Sequence, residues 1–219
     1  MSSRHVVVIG STGYLGSRLI PRLIERGHTV TAVVRPGSHA KLIRGCRVVQ
    51  ANPLDKASLM PHLLAGDTVV QLVGAPKPAP WKGPQFRAVD LVAGRASIDA
   101  AQAASVDHFI YVSVAHPAPI MKDYIAVRRE CEDRLRASGL RVTMVRPWYI
   151  LGPGHWWPLV LQPAYRLMEM IPSTHDASRR LGLVTIHDML TALVWSIEHL
   201  PESIRVIEVP EIRRLGGIS

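Results

Sequence analysis

The sequence predicts an α/β fold built on a parallel sheet wound on both faces, and three observations predict it. The first is a short apolar run at 6–9 that enters a turn with glycine at every third position and leaves it in a helical pattern. The second is the regular alternation of strand-like and helix-like segments that follows. The third is composition: 219 residues, 47% hydrophobic and 20% charged, are ordinary for a folded domain and enough to bury a sizeable core.

Each element has its own signal. Residues 6–9 (Val-Val-Val-Ile) form the first strand. Residues 17–26 read as a helix with Leu19, Leu23 and Ile24 on one face, closed by Gly27 where a left-handed cap is wanted. Strands follow at 29–34 and 47–50, with at most a short helix at 41–44 between them. Pro53-Leu54-Asp55 opens a helix carrying Leu59, Leu63 and Leu64. A fourth strand at 68–73 runs into a loop rich in proline (Pro76, Pro78, Pro80, Pro84). An alanine-rich helix covers 87–104, a fifth strand 108–114, a helix 125–138 ending at Gly139, and a sixth strand 142–145. Beyond Gly152 the regularity weakens. Trp156-Trp157-Pro158 and the apolar stretch 159–171 suggest a lid, followed by a helix at 187–199 and a short strand at 205–209. The expected organisation is one domain, 1–219, with 152–219 supplying the lid and substrate-side elements.

The opening turn is a device for holding a phosphate. Gly10 lets the chain turn sharply, Gly13 removes a side chain so that backbone can approach a pyrophosphate, and Gly16 lets helix and strand pack closely. Ser11 and Thr12 add hydroxyls, and with Tyr14 and Leu15 they lead into a helix start whose unpaired N–H groups and positive dipole end favour an anion. The reading is dinucleotide binding.

Other classes fit less well. The formal charge of +9 favours anionic partners, yet the basic residues are scattered and no basic run interleaves with aromatics, so nucleic acid is not expected. His116, His155, His175, His187 and His199 lack the i, i+4 groupings of a metal site, and no metal is expected. Two cysteines, Cys46 and Cys131, suit a reducing, cytoplasmic compartment. The N-terminal apolar run is too short for a signal-peptide core, and no segment is long enough to span a bilayer. The tryptophan pair with Arg166 leaves open a lid, a peripheral membrane contact or a quinone-like ligand.

Taken in order, Gly10-x-x-Gly13-x-x-Gly16, Ala51-Asn52-Pro53-Leu54-Asp55, Val73-Gly74-Ala75, the segment from His108 to Ser113, Tyr124-x-x-x-Arg128, Val145-Arg146-Pro147 and Val184-Thr185-Ile186-His187-Asp188 resemble the short-chain dehydrogenase/reductase superfamily. The likeness is to its atypical and extended branches, the NmrA-like and epimerase-like NAD(P)-binding proteins. The resemblance implies a Rossmann-type sheet with a small C-terminal substrate-side region. It places Asn52, Pro53 and Leu54 beside the adenine, Val73, Gly74 and Ala75 under the riboses, and Arg128 and Pro147 among the coenzyme contacts.

Cofactor choice rests on the end of the second strand. An enzyme preferring NAD usually has a carboxylate there for the ribose 2′-hydroxyl. Here the strand ends Val33-Val34-Arg35-Pro36, and a guanidinium pairs with a 2′-phosphate where an acid repels it, so NADP(H) is favoured over NAD(H).

For catalysis the resemblance implies a serine that polarises a carbonyl, a tyrosine that moves the proton, and a lysine one helical turn later. Tyr124 and Arg128 have that spacing, with arginine in place of lysine. Ser113 lies one place before the position of the family's polar residue, which Val114 occupies, and His116 is a candidate substitute. Two functions therefore stand. One is an NADP(H)-dependent oxidoreductase acting on a small or hydrophobic carbonyl or quinone-like compound, with Tyr124, Arg128 and Ser113 as its catalytic set. The other is a non-catalytic coenzyme-binding sensor or assembly protein; under either, a monomer or a homodimer is expected.

Overall fold

The computed structural model describes residues 3–37, 45–76, 78–154 and 181–217. The helix expected at 41–44, the Trp156-Trp157 pair and the apolar stretch 159–171 lie outside them.

Seven strands form one parallel sheet: β1 (His5–Ile9), β2 (Thr29–Val34), β3 (Arg47–Gln50), β4 (Thr68–Gln71), β5 (His108–Val112), β6 (Val142–Arg146) and, last in the chain, β9 (Ile204–Glu208), in the order β3-β2-β1-β4-β5-β6-β9. The order reverses between β1 and β4, which leaves a crevice beyond the carboxyl ends of those two strands. Strand alternation builds a core on each face. Val7 and Ile9 of β1 point into one with Leu59, Ile98, Cys131 and Leu135, while Val6 and Val8 point into the other with Leu19, Leu23, Leu193 and Ile212. The four apolar residues of β1 are fully buried, so each contributes roughly 1.5–3 kcal/mol and the apolar run reads as continuous.

On one face lie α1 (Gly16–Glu25) and two late helices, α6 (Ile186–Glu198) and α7 (Val209–Gly216). On the other lie α2 (Lys56–Leu59), α4 (Val92–Ala103) and α5 (Lys122–Arg136). Gly27 ends α1 at φ +81°, as its position suggests. Thr185 and Asp188 close α6 with a capping box, in which the Thr185 hydroxyl accepts the Asp188 N–H at 3.1 Å and the carboxylate accepts the Thr185 N–H at 2.9 Å.

Several elements differ from expectation. The helix opened by Asp55 turns into a 3-10 stretch at Met60–His62, whose tighter winding keeps Leu63 inside but leaves Leu64 62% exposed. The alanine-rich helix starts earlier, as α3 (Gly83–Gln85) passing into a π-helical turn, Phe86–Leu91, and then into α4. Pro84 sits in its first turn, where the missing N–H costs nothing. β5 stops at Val112, so Ser113 and Val114 lie beyond it. Two short strands, β7 (Tyr149–Leu151) and β8 (Leu183–Thr185), pair in parallel as a separate small sheet. Residue 209, read as the end of the last strand, starts α7.

Candidate functional site

The glycine turn closes tightly at the crevice. Gly10 has φ +91°, and a Cβ there would lie 3.0 Å from the backbone of Leu72 and Val73, the chain leaving β4. The Gly13 N–H donates to the Gly10 carbonyl at 3.1 Å, and a Cβ at Gly16 would lie 2.7 Å from the Ser11 Cα. Turn, strand and helix thus touch backbone to backbone, which any larger residue would prevent. α1 begins at Gly16 with no side-chain cap and no acid in its first turn, so its positive end is left for an anion. This cradle fits a diphosphate.

The residues around the cradle divide by role. Thr12 and Gly13 are exposed on its open side. The Ser11 hydroxyl is not: it is fully buried and donates to the Val33 carbonyl at 2.6 Å, tying the turn to β2. Its sequence role as a hydroxyl donor to phosphate is corrected accordingly. Tyr14 lies under Arg18, whose Cζ is 4.3 Å from the ring centroid, and against Gly152, where a Cβ would collide with the phenol. Leu15 packs on the second core. Arg35 is exposed just past β2, with no acid beside it in the chain. The Asn52 side chain accepts the Leu54 N–H at 3.1 Å and shapes its own turn, Pro53 is buried, and Leu54 is exposed. Pro147 is buried, and its carbonyl accepts the Ala115 N–H at 2.9 Å.

Sequence reasoning missed the group that organises the crevice floor, Asp90. It is buried in the π-helical turn; its carboxylate accepts the Ala75 N–H at 2.9 Å and bonds Arg128 Nη2 at 2.6 Å. Arg128 Nη1 donates to the Val112 carbonyl at 2.9 Å and lies 3.3 Å from the Tyr111 hydroxyl. The ends of β4 and β5 are therefore bolted together through one ion pair. Gly74 lies over it: a Cβ there would come within 2.6 Å of the guanidinium and 3.0 Å of the carboxylate. Burial pushes the Asp90 carboxyl above its ordinary range, against the pull of Arg128 and the Ala75 amide. Although burial works against it, Arg128 is held well above the usual arginine range by the tyrosines and Asp90 around it. The only sequence signal was an acid on the inward face of an apolar helix.

The structure brings Tyr124 and Arg128 together, with the guanidinium 5.0 Å from the phenol ring centroid and Phe86 packed against the ring at 4.9 Å. Arg128 is turned inward to Asp90 and is 5% exposed, so its guanidinium acts from beneath the crevice floor.

Ser113 is buried without an aligned partner, facing the Glu132 carboxylate. Against the cost of burial, the Arg146 fork, with help from Ser113, holds Glu132 below the ordinary carboxylate range. His116 belongs to the same cluster, 3.5 Å from Glu132, and burial lowers its pKa. Val114, which stands where the family has a polar residue, is buried. Among the described residues no group of three metal-ligating side chains is found, and no helix is long and apolar enough to cross a membrane.

A cradle of this geometry has a counterpart in sequence: the family described as NAD(P)H-binding matches residues 10–153, from the first glycine of the turn through β7. The chain belongs to that NAD(P)H-binding family. It is similar to a ceramide reductase from Caulobacter vibrioides, 28% identical over 213 residues, covering 96% of this chain and 66% of that protein. It is also 28% identical over 148 residues to the photosystem II assembly factor Ycf39 of Cyanophora paradoxa, covering 64% of this chain and 44% of that one. The chain thus spans less than two thirds of the length of these relatives. Among solved structures, WbmH of Bordetella bronchiseptica in complex with NAD+ superposes with TM-score 0.71 at 21% identity, over 99% of this chain and 80% of that one. A UDP-N-acetylglucosamine 4-epimerase from Bacillus cereus superposes with TM-score 0.68 at 15% identity, over 98% and 82%. These likenesses show a fold shared with an NAD-binding protein and a sugar-nucleotide epimerase.

Proposed function

We propose that this NAD(P)H-binding protein is an NADP(H)-dependent oxidoreductase acting on a small or hydrophobic carbonyl or quinone-like compound. The observation that carries the reading is the crevice: a side-chain-free diphosphate cradle at Gly10–Gly16 faces a floor held by Asp90 and Arg128, with Tyr124 on its wall. The turn amides and the start of α1 would hold the diphosphate, and Arg35, with no acid at the end of β2, would receive a 2′-phosphate. A nicotinamide coenzyme supplies hydride when bound. Tyr124 would then hold and deliver a proton to a carbonyl oxygen, beside the fixed charge of Arg128. The similarity to a ceramide reductase, across 96% of this chain, supports a lipophilic carbonyl as substrate class. A chain with two cysteines, Cys46 and Cys131, is in keeping with a reducing cytoplasmic setting. Replacing Tyr124 with Phe tests the assignment: turnover of a genuine substrate should fall by about a hundredfold or more while coenzyme affinity holds, and unchanged turnover would remove Tyr124 from the mechanism.

A second reading is a non-catalytic coenzyme-binding sensor or assembly protein. It is favoured by Arg128 being tied to Asp90 and by Ser113 facing Glu132. The similarity to an assembly factor supports it as well. Measurable NADPH oxidation with any member of a carbonyl and quinone panel decides for the enzyme.

A further inference from the structure

We infer that the groove between α1, α6 and α7 is a second binding site, for a carboxylate or phosphate carried on an apolar body. The groove has a volume of about 600 Å³. It lies on the face of the sheet away from α4 and α5, and no residue of the glycine turn lines it.

One end is polar. Arg22 of α1 is half-buried there; its Nη1 lies 3.5 Å from the Thr191 hydroxyl and its Nη2 3.3 Å from His187 Nδ1. Both contacts are long, and neither partner is a carboxylate. The other arginines of the groove are satisfied: Arg26 bonds both oxygens of Glu198, at 2.8 Å each, and Arg214 bonds Glu211. Arg22 is thus the lining guanidinium without an acid among the described residues. A guanidinium cannot shed its proton, so half-burial leaves its charge to be met from outside. Its fork, held only by these long contacts among the described residues, offers the paired donors that a carboxylate or phosphate accepts, with the Thr191 hydroxyl 3.5 Å from Nη1.

The other end is apolar. On α6, Thr191 and Trp195 stand one turn apart on the same face as Val194, and Leu215 of α7 completes the wall. Trp195 is fixed in place: His199 stacks on it at 4.5 Å and 13°, and the Arg205 guanidinium lies 4.9 Å from its centroid. A wall held this way keeps its shape without a ligand, which favours binding. One group opposes an anion. Glu25 follows Arg22 by one turn, is exposed, and makes no ion pair among the described residues.

Calorimetric titration of the full chain with phenyl phosphate and with benzoate, and with benzyl alcohol as the neutral control, tests the site and separates phosphate from carboxylate. Both anions should bind and the alcohol should not. Arg22→Gln should weaken binding about tenfold or more, Arg22→Lys less, and Glu25→Gln should tighten it by about two- to threefold. NADPH affinity should stay the same in all three variants. The inference is overturned if neither anion binds at up to ~10 mM, or if Arg22→Gln and Glu25→Gln both bind like the parent. It is equally overturned if NADPH displaces the anions, which would place them in the coenzyme crevice. If Arg22→Gln does not fold, Arg22→Lys and Glu25→Gln carry the decision.

Discussion

Replacing Asp90 with Asn puts the crevice floor to a direct test. Asp90 holds two donors at once, Arg128 Nη2 at 2.6 Å and the Ala75 N–H at 2.9 Å, and is 1% exposed. Asparagine keeps the shape but offers one acceptor oxygen, so its amide N–H₂ must face either the guanidinium or the Ala75 amide. Arg128 then remains charged and buried with no counter-charge. Removing one partner of a buried pair costs about 3–5 kcal/mol, against a total stability of roughly 5–15 kcal/mol. Urea unfolding should show that loss as a lower midpoint at unchanged slope. Removing both charges, as in Asp90→Leu with Arg128→Met, leaves no unpaired buried charge, although the Ala75 N–H and the Val112 carbonyl each lose a partner, and should cost less than the sum of the two single substitutions. Because Ala75 and Gly74 sit on this pair, Asp90→Asn should also weaken coenzyme binding by about tenfold at temperatures where the variant is folded. A loss below about 1 kcal/mol, or strict additivity of the two substitutions, would refute the reasoning.

Two further outcomes follow from single groups. Arg35→Ala should weaken NADPH by about tenfold and leave NADH nearly unchanged, since the partner proposed for the guanidinium is the 2′-phosphate that NADH lacks; equal losses for both coenzymes in calorimetry would exclude that role. His108 is fully buried, and burial, followed by the charges of Arg4, Arg205 and Arg141, pushes its pKa down to about 3. The unfolded chain takes up a proton near pH 6.5 and the folded one does not until about pH 3, so the unfolded state binds more protons in between. Stability should therefore fall as pH drops through that window, by at most about 4–5 kcal/mol from this residue, and His108→Asn should flatten the urea-midpoint profile there.

Much of the fold is legible where local chemistry and tertiary context agree. β2 and β3 are bounded by their own turn residues and match the expected 29–34 and 47–50, and Gly27 needs the positive φ that its position announces. Misreadings fall where context overrides pattern. The prolines before residue 85 conceal a helix start, because proline is harmless in a first turn; the leucine spacing at 59, 63 and 64 breaks when α2 tightens into a 3-10 turn. β7 and β8 are three residues each and acquire meaning only by pairing across a long separation. The site divides in the same way. The glycine turn is local, since its backbone contacts follow from its own residues and the neighbouring strand. The direction in which Arg128 points is not, since it depends on Asp90, thirty-eight residues earlier. Likewise Ser113 faces Glu132 because β5 ends at Val112, a boundary that alternation alone does not reveal.

The most direct measurement is the affinity of the purified chain for NADPH and NADH by calorimetry, with Gly13→Asp alongside. The backbone cradle predicts micromolar or tighter NADPH binding and loss of both coenzymes in the variant, whose carboxylate would meet the diphosphate where only backbone belongs, and the proposed role of Arg35 predicts weaker NADH binding. Absence of binding by either coenzyme, or a Gly13→Asp protein that binds like its parent, would contradict it.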